Sequence, residues 1–145
     1  MAENAAEATR ETIVELVRAL NEGDLERVRH LLTEDAILQI PSMGTRLVGR
    51  NSFTRRRQRR PAAWTDVEVN VVNMIACDEF VTLEAVVTGT HSGDWITGAQ
   101  SFGTLAATGR RAARPACYVC SIRDGKVASL TAYYDRIALI SELVR

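Results

Sequence analysis

The chain has 145 residues, of which 46% are hydrophobic, 25% charged and 6% aromatic, and its 18 Lys and Arg balance 18 Asp and Glu. A chain of this length buries roughly 68–70% of its unfolded surface, enough for one self-sufficient core but not for two, so a single domain over residues 1–145 is expected. Zero net charge excludes a surface built as a whole for nucleic acid or anionic lipid.

The elements follow in chain order. Ile13, Val14, Leu16, Val17 and Leu20 recur at helical spacing, which predicts a helix over Ala8–Leu20 that Asn21-Glu22-Gly23 stops. Asp24 stands at an N-cap position before a short helix, Leu25–Leu32. A strand over Ala36–Ile40 runs into Pro41, and Ser42-Met43-Gly44-Thr45 reads as a loop. Asn51 or Ser52 then caps a third helix that ends before Pro61.

From there the period changes to two. Val67, Val69 and Val71 alternate with Glu68 and Asn70, a turn falls at Asp78-Glu79, and a long strand follows over Phe80–His91. Residues 92–109 read as a loop, after which Ala116–Ile122 is a strand, Arg123-Asp124-Gly125 a tight turn, and Val127–Tyr134 the returning strand. A helix over Ile137–Val144 comes last. Helices followed by a run of long antiparallel strands predict an α+β domain, with a bent sheet curled around the helices to leave a cone-shaped, hydrophobic pocket.

The odd count of three cysteines does not suit a disulfide framework and fits a reducing compartment. The acidic opening stretch lacks the basic end and apolar run of a secretory signal, and no segment approaches the ~18 apolar residues of a membrane span. The cytoplasm is therefore the expected location, with no membrane partner. Cys117-Tyr118-Val119-Cys120 spells C-x-x-C, but in a strand residues three apart point to opposite faces, and only two histidines are available. A zinc site is not expected, and the sulfurs read as small apolar fillers.

Strand parity indicates which side chains enter the pocket. Leu83, Ala85, Val87 and His91 share one face of their strand, as do Ala116, Tyr118, Cys120 and Ile122 of the next and Ala128, Leu130, Ala132 and Tyr134 of the last. His91 is the leading acid/base group because imidazole exchanges protons near neutrality. The alternative is a strand-end histidine bonded to the following loop. Tyr118 and Tyr134 are phenols able to stabilise charge on a substrate oxygen. Leu16, Leu20, Ile40, Leu83, Val87, Cys120, Leu130, Ala132 and the tryptophan of the Trp95-Ile96 pair are the expected substrate-contacting walls. His30 reads as a surface residue. Asp135 is a catalytic candidate, but its place immediately before a helix favours the reading as an N-cap.

The basic block Arg55-Arg56-Arg57-Gln58-Arg59-Arg60 sits in a predicted helix whose residues fan by about 100° each. It reads chiefly as a solvated face or an oligomer contact, with a gate for an anionic ligand and a nucleic-acid patch as the alternatives; no nucleic-acid partner is expected.

The stretches LNEGDLERVRHLLTEDA, RLVGRNSF, TGTHSG, ATGRR, IRDGKV and YYD, in this order over nearly the whole chain, resemble the SnoaL-like branch of the nuclear-transport-factor-2-like superfamily, which holds polyketide cyclases and their relatives. The resemblance implies a curved sheet around a hydrophobic pocket, often a homodimer formed through the outer face of the sheet, where Thr82, Val86, Thr88 and Thr90 lie. It also implies an enzyme without a cofactor, acting on a hydrophobic, oxygenated small molecule of polyketide or other secondary-metabolite type by cyclisation, isomerisation or dehydration. A non-catalytic small-molecule-binding protein and a SnoaL-like hydroxylase are the rival readings. The chain departs from the family's catalytic patterns: Ala132 and Tyr118 stand where the cyclases carry an aspartate and a histidine, and Leu16 and Ile40 where ketosteroid isomerases carry a tyrosine and an aspartate.

Overall fold

The computed structural model describes residues 2–59, 63–97 and 103–145. Among them are four helices, α1 (Ala2–Glu22), α2 (Leu25–Leu31), α3 (Arg50–Arg59) and α4 (Arg136–Leu143), and eight strands: β1 (Leu32–Ile40), β2 (Thr45–Val48), β3 (Trp64–Ala76), β4 (Phe80–His91), β5 (Trp95–Ile96), β6 (Thr104–Leu105), β7 (Arg111–Arg123) and β8 (Lys126–Tyr134). Six strands form one mixed, curved, unclosed sheet in the order β2-β1-β8-β7-β4-β3, and β5 pairs with β6 apart from it. This is the expected α+β cone.

Local chemistry accounts for most boundaries. Asp24 caps α2 by accepting from the Arg27 amide at 3.1 Å, and Asp135 caps α4 by accepting from the Ala138 amide at 2.8 Å. Asp124 (φ 53°) and Gly125 (φ 72°) take the left-handed conformations of a two-residue hairpin turn, which sets the β7–β8 register that places Tyr118 opposite Ala132. The sheet's long strands are antiparallel, except that β1 runs parallel to β8.

Beyond shifts of one or two residues at element ends, five differences from expectation stand out. First, α1 starts earlier, at Ala2. Second, β1 starts at Leu32, where two residues are buried before the alternation begins. Third, Thr45–Val48, partly assigned to a loop, pairs with β1 as an edge strand. Fourth, α3 begins at Arg50 rather than at a side-chain cap: the carbonyl of Gly49 (φ 92°) accepts from the Ser52 and Phe53 amides, while the Asn51 side chain accepts from Arg29 Nε instead. Fifth, β7 begins at Arg111. Pro115 argues against a strand there, yet at that point β7 has already outgrown β8, whose pairing starts at Ala116, and runs beside β4 alone. Of the predicted loop 92–109, residues 98–102 lie outside the described part, as does Arg60 of the basic block; the loop's flanks carry the short β5–β6 hairpin.

The helix α1 crosses the concave face of the sheet, burying Ile13, Leu16 and Ala19. Its C-terminal end is fastened to β3 by Asn21, whose Nδ2 donates to the Val69 carbonyl at 3.0 Å and whose Oδ1 accepts from the Val69 amide at 2.8 Å. A bulge in β3 at Asp66 (φ 54°) shifts the strand by one residue relative to β4, which turns Val67 and Val69 toward the cavity and leaves Glu68 outside.

Candidate functional site: an apolar cavity with arginine walls

Between α1, α3 and the concave sheet lies a cavity with about 870 Å³ of space, its open end included. Each wall follows from a periodicity. On α1, Ile13, Leu16, Val17 and Leu20 lie on one stripe at helical spacing. On β4, β7 and β8 every second residue points inward, bringing in Leu83 and Val87, Tyr118 and Cys120, and Leu130, Ala132 and Tyr134; Ile40 closes the side from β1. Thus Leu16, Leu20, Ile40, Leu83, Val87, Tyr118, Cys120, Leu130, Ala132 and Tyr134, all singled out from the sequence, are brought together here.

Three others are placed elsewhere. His91 does not line the cavity. It is fully buried, packed between Trp64 (ring centroids 5.1 Å apart) and Trp95 (6.4 Å). Its Nδ1 accepts from the Thr108 amide at 3.3 Å and lies 3.0 Å from the Thr108 hydroxyl, so the proton of the neutral ring sits on Nε2, which is buried without a partner among the described residues. The strand runs true to parity, but at its far end the concave face is covered by the two indoles rather than by the cavity. Trp95 belongs to this aromatic cluster, while Ile96 is three-quarters exposed. Asp135 is an exposed carboxylate whose contact is the α4 cap. His30 is exposed beside Glu26 on α2. Of the C-x-x-C pair, Cys120 is buried and Cys117 half-buried. Burial pushes the Cys120 thiol up to about 12, which leaves it protonated and unreactive at neutral pH.

Nine lining residues lie outside the expected walls; besides the aliphatic Ile13, Val17, Leu38, Val67 and Val69 they are Phe53, Arg56, Arg57 and Arg114. Arg56 and Arg57 belong to the basic block, for which a gate for an anionic ligand is one of the alternative readings. Phe53, Arg56 and Arg57 stand at i, i+3 and i+4 on α3, so one face of the basic helix enters the cavity while Arg55 and Gln58 stay exposed. Arg114 continues the inward series Ala112, Arg114, Ala116, Tyr118 once β7 is known to begin at Arg111. Its guanidinium carbon sits 3.9 Å over the Tyr134 ring, a cation–π contact. Burial lowers the Arg57 guanidinium's pKa from its ordinary value; the nearby Tyr118 opposes this shift, and Arg56 and Arg114 add to it. Among the described residues no Asp or Glu lines the cavity.

The polar groups facing this apolar space are therefore arginines and phenols, able to donate hydrogen bonds to an oxygen and to stabilise negative charge on it. Among the described residues no helix is long and apolar enough to cross a membrane, and no cluster of His, Cys, Asp and Glu is arranged to hold a metal ion.

Similarity to known proteins agrees with this architecture. A candidate polyketide cyclase of Xanthomonas campestris pv. campestris superposes with a TM-score of 0.82 at 23% identity, over 96% of this chain and 98% of that one. IdmH, a candidate polyketide cyclase of Streptomyces antibioticus, gives 0.78 at 25% identity over 94% and 98%. TerC, crystallised with polyporic acid, gives 0.77 at 14% identity over 95% and 99%. No curated protein matches the chain. The model of the SnoaL-like domain matches residues 13–130, most of the chain and nearly every wall of the cavity, and the chain therefore belongs to the SnoaL-like family.

Proposed function

We propose that this chain takes a hydrophobic, oxygenated small molecule of polyketide or related secondary-metabolite type into its cavity and, without a cofactor, promotes its cyclisation, isomerisation or dehydration. The observation that carries this reading is the cavity itself: aliphatic walls enclose a small set of oxygen-directed donors, Tyr118, Tyr134, Arg57 and Arg114. The walls exclude water and fix the conformation of a flexible substrate. Negative charge on a substrate oxygen is met by the Tyr118 phenol and the arginine N–H groups. His91 lies away from the reacting space in this reading and supports it through the Trp64–Trp95 cluster. The crystallisation of TerC with polyporic acid is in keeping with a small-molecule ligand for this shape of pocket. A homodimer through the outer face of the sheet and a cytoplasmic location belong to the same proposal.

A specific observation favours a second reading, non-catalytic binding: the described lining holds neither a carboxylate nor an imidazole to act as a base near neutrality. Incubation of purified protein with a panel of linear and partly cyclised polyketide-like ketones, followed by mass spectrometry and calorimetry, separates the two. Turnover that falls at least about tenfold in Tyr118→Phe supports catalysis through an oxyanion donor. Tight binding with no turnover of any member supports the binding protein and overturns the enzyme.

A further inference from the structure

The charges around the cavity do not balance, although those of the whole chain do. Arg57 and Arg114 reach into the apolar space, donate no hydrogen bond to any described residue and pair with no carboxylate among them. The Arg114 Nη1 is buried without a partner among the described residues. Its position over Tyr134 at 3.9 Å engages the face of the guanidinium and leaves in-plane N–H donors free. Several other arginines are paired, Arg27 with Glu15, Arg123 with Asp35 and Arg110 with the Glu142 carbonyl; Arg50 Nε and Arg136 Nε are also buried without a partner among the described residues, but neither side chain lines the cavity. An arginine in an apolar wall without an anion keeps a desolvated charge uncompensated, which is costly. Arg56, beside Arg57 on the same face of α3, also borders the open groove between α3 and β5, so cationic groups extend from the mouth to the inner wall.

We infer that the ligand of this cavity is an apolar acid: a hydrophobic body bearing one carboxylate, or an equally acidic enol, whose oxygens take the free donors of Arg57 and Arg114. This rests on the reading of the cavity as a small-molecule site and narrows it to a substrate class. A planar oxyanion suits the forked guanidinium donors. It supplies the missing counter-charge and leaves the hydrocarbon against Leu16, Leu83 and Leu130. A neutral ester or amide of the same shape gains the apolar contact but leaves the arginines unpaired, so the site discriminates by charge as well as by shape.

The test uses two fluorescent probes that differ by one acidic group, 1-anilinonaphthalene-8-sulfonate and its uncharged parent N-phenyl-1-naphthylamine, titrated against the full chain and four variants. Expected is an affinity for the anion at least about tenfold above that for the neutral probe, from charge-assisted hydrogen bonds. Arg114→Gln and Arg57→Gln each remove about tenfold of the anion's affinity and change the neutral probe's by less than about twofold. Arg114→Lys, which keeps the charge, falls between. Ala132→Trp, which fills the cavity from β8, abolishes binding of both; melting followed by circular dichroism verifies that each variant folds. Equal affinity for the two probes, both blocked by Ala132→Trp, would refute acid selectivity and leave the ligand site standing. Anion binding that survives Ala132→Trp, or binding of neither probe to the wild type, would overturn the site and the inference together.

Discussion

His91 supplies the sharpest perturbation because sequence and geometry give it different work. Replacing it by alanine removes a fully buried ring held against two indoles. Loss of a buried ring of this size costs about 3 kcal/mol from lost transfer and residual cavity, consistent with two aromatic contacts of about 1 kcal/mol each and a hydrogen bond of about 1 kcal/mol. At roughly 3 °C per kcal/mol for a chain of this length, the melting temperature falls by about 9 °C. Phenylalanine behaves differently. It keeps the ring, removes the orphaned Nε2–H, and leaves the Thr108 amide without its acceptor; the last two changes are of similar size and opposite sign, so the net change stays within about 1 kcal/mol. Thermal melts of both variants, with ligand binding or turnover measured alongside, check this. A folded His91→Phe protein that has lost the turnover of the wild type would refute the structural role and return the imidazole to chemistry.

Three further outcomes are expected. With its pKa raised to about 12, Cys120 stays protonated from pH 7 to 9 and resists iodoacetamide until denaturant is added, while the exposed Cys77 is alkylated; peptide mass spectrometry distinguishes them, and early labelling of Cys120 in the folded protein would contradict its burial. Asp135→Ala removes the cap of α4 and lowers stability by about 1 kcal/mol with ligand binding unchanged, measured by urea unfolding and calorimetry; loss of binding at full stability would assign Asp135 to the site. Ala132→Asp places a carboxylate on the inner face opposite Tyr118, within the arginine-lined cavity. It is expected to supply the missing counter-charge and reduce affinity for the anionic probe at least about tenfold, and an unchanged titration would show that the arginines do not act on the ligand.

The parts of the fold that were legible in the residues are those set by local rules. The caps at Asp24 and Asp135, the Asp124-Gly125 turn and the alternation through Leu83, Ala85 and Val87 each depend on near neighbours, and the parity of β4, β7 and β8 was enough to gather seven of the cavity's residues. The arginines were legible only in part: the basic block admits a gate for an anionic ligand as an alternative, but for two physical reasons their place in the wall was not legible. The strand was expected to start at Ala116, one residue after Pro115, so Arg114 fell outside the inward series; a proline is tolerated within β7 there because β7 has outgrown β8. On α3, a run rich in arginine looks uniformly polar, and only the docking of Phe53 on the core fixes which face turns inward and takes Arg56 and Arg57 with it. His91 shows the converse limit, since parity gives the side of the sheet but not what covers it.

A crystal structure with 1-anilinonaphthalene-8-sulfonate bound tests the central claim most directly. Density for the naphthalene ring between α1 and the β4–β7–β8 wall, with the sulfonate oxygens within hydrogen-bond distance of Arg57 and Arg114, is the predicted result. A saturated crystal with the probe only on the outer surface and the cavity still empty would contradict it.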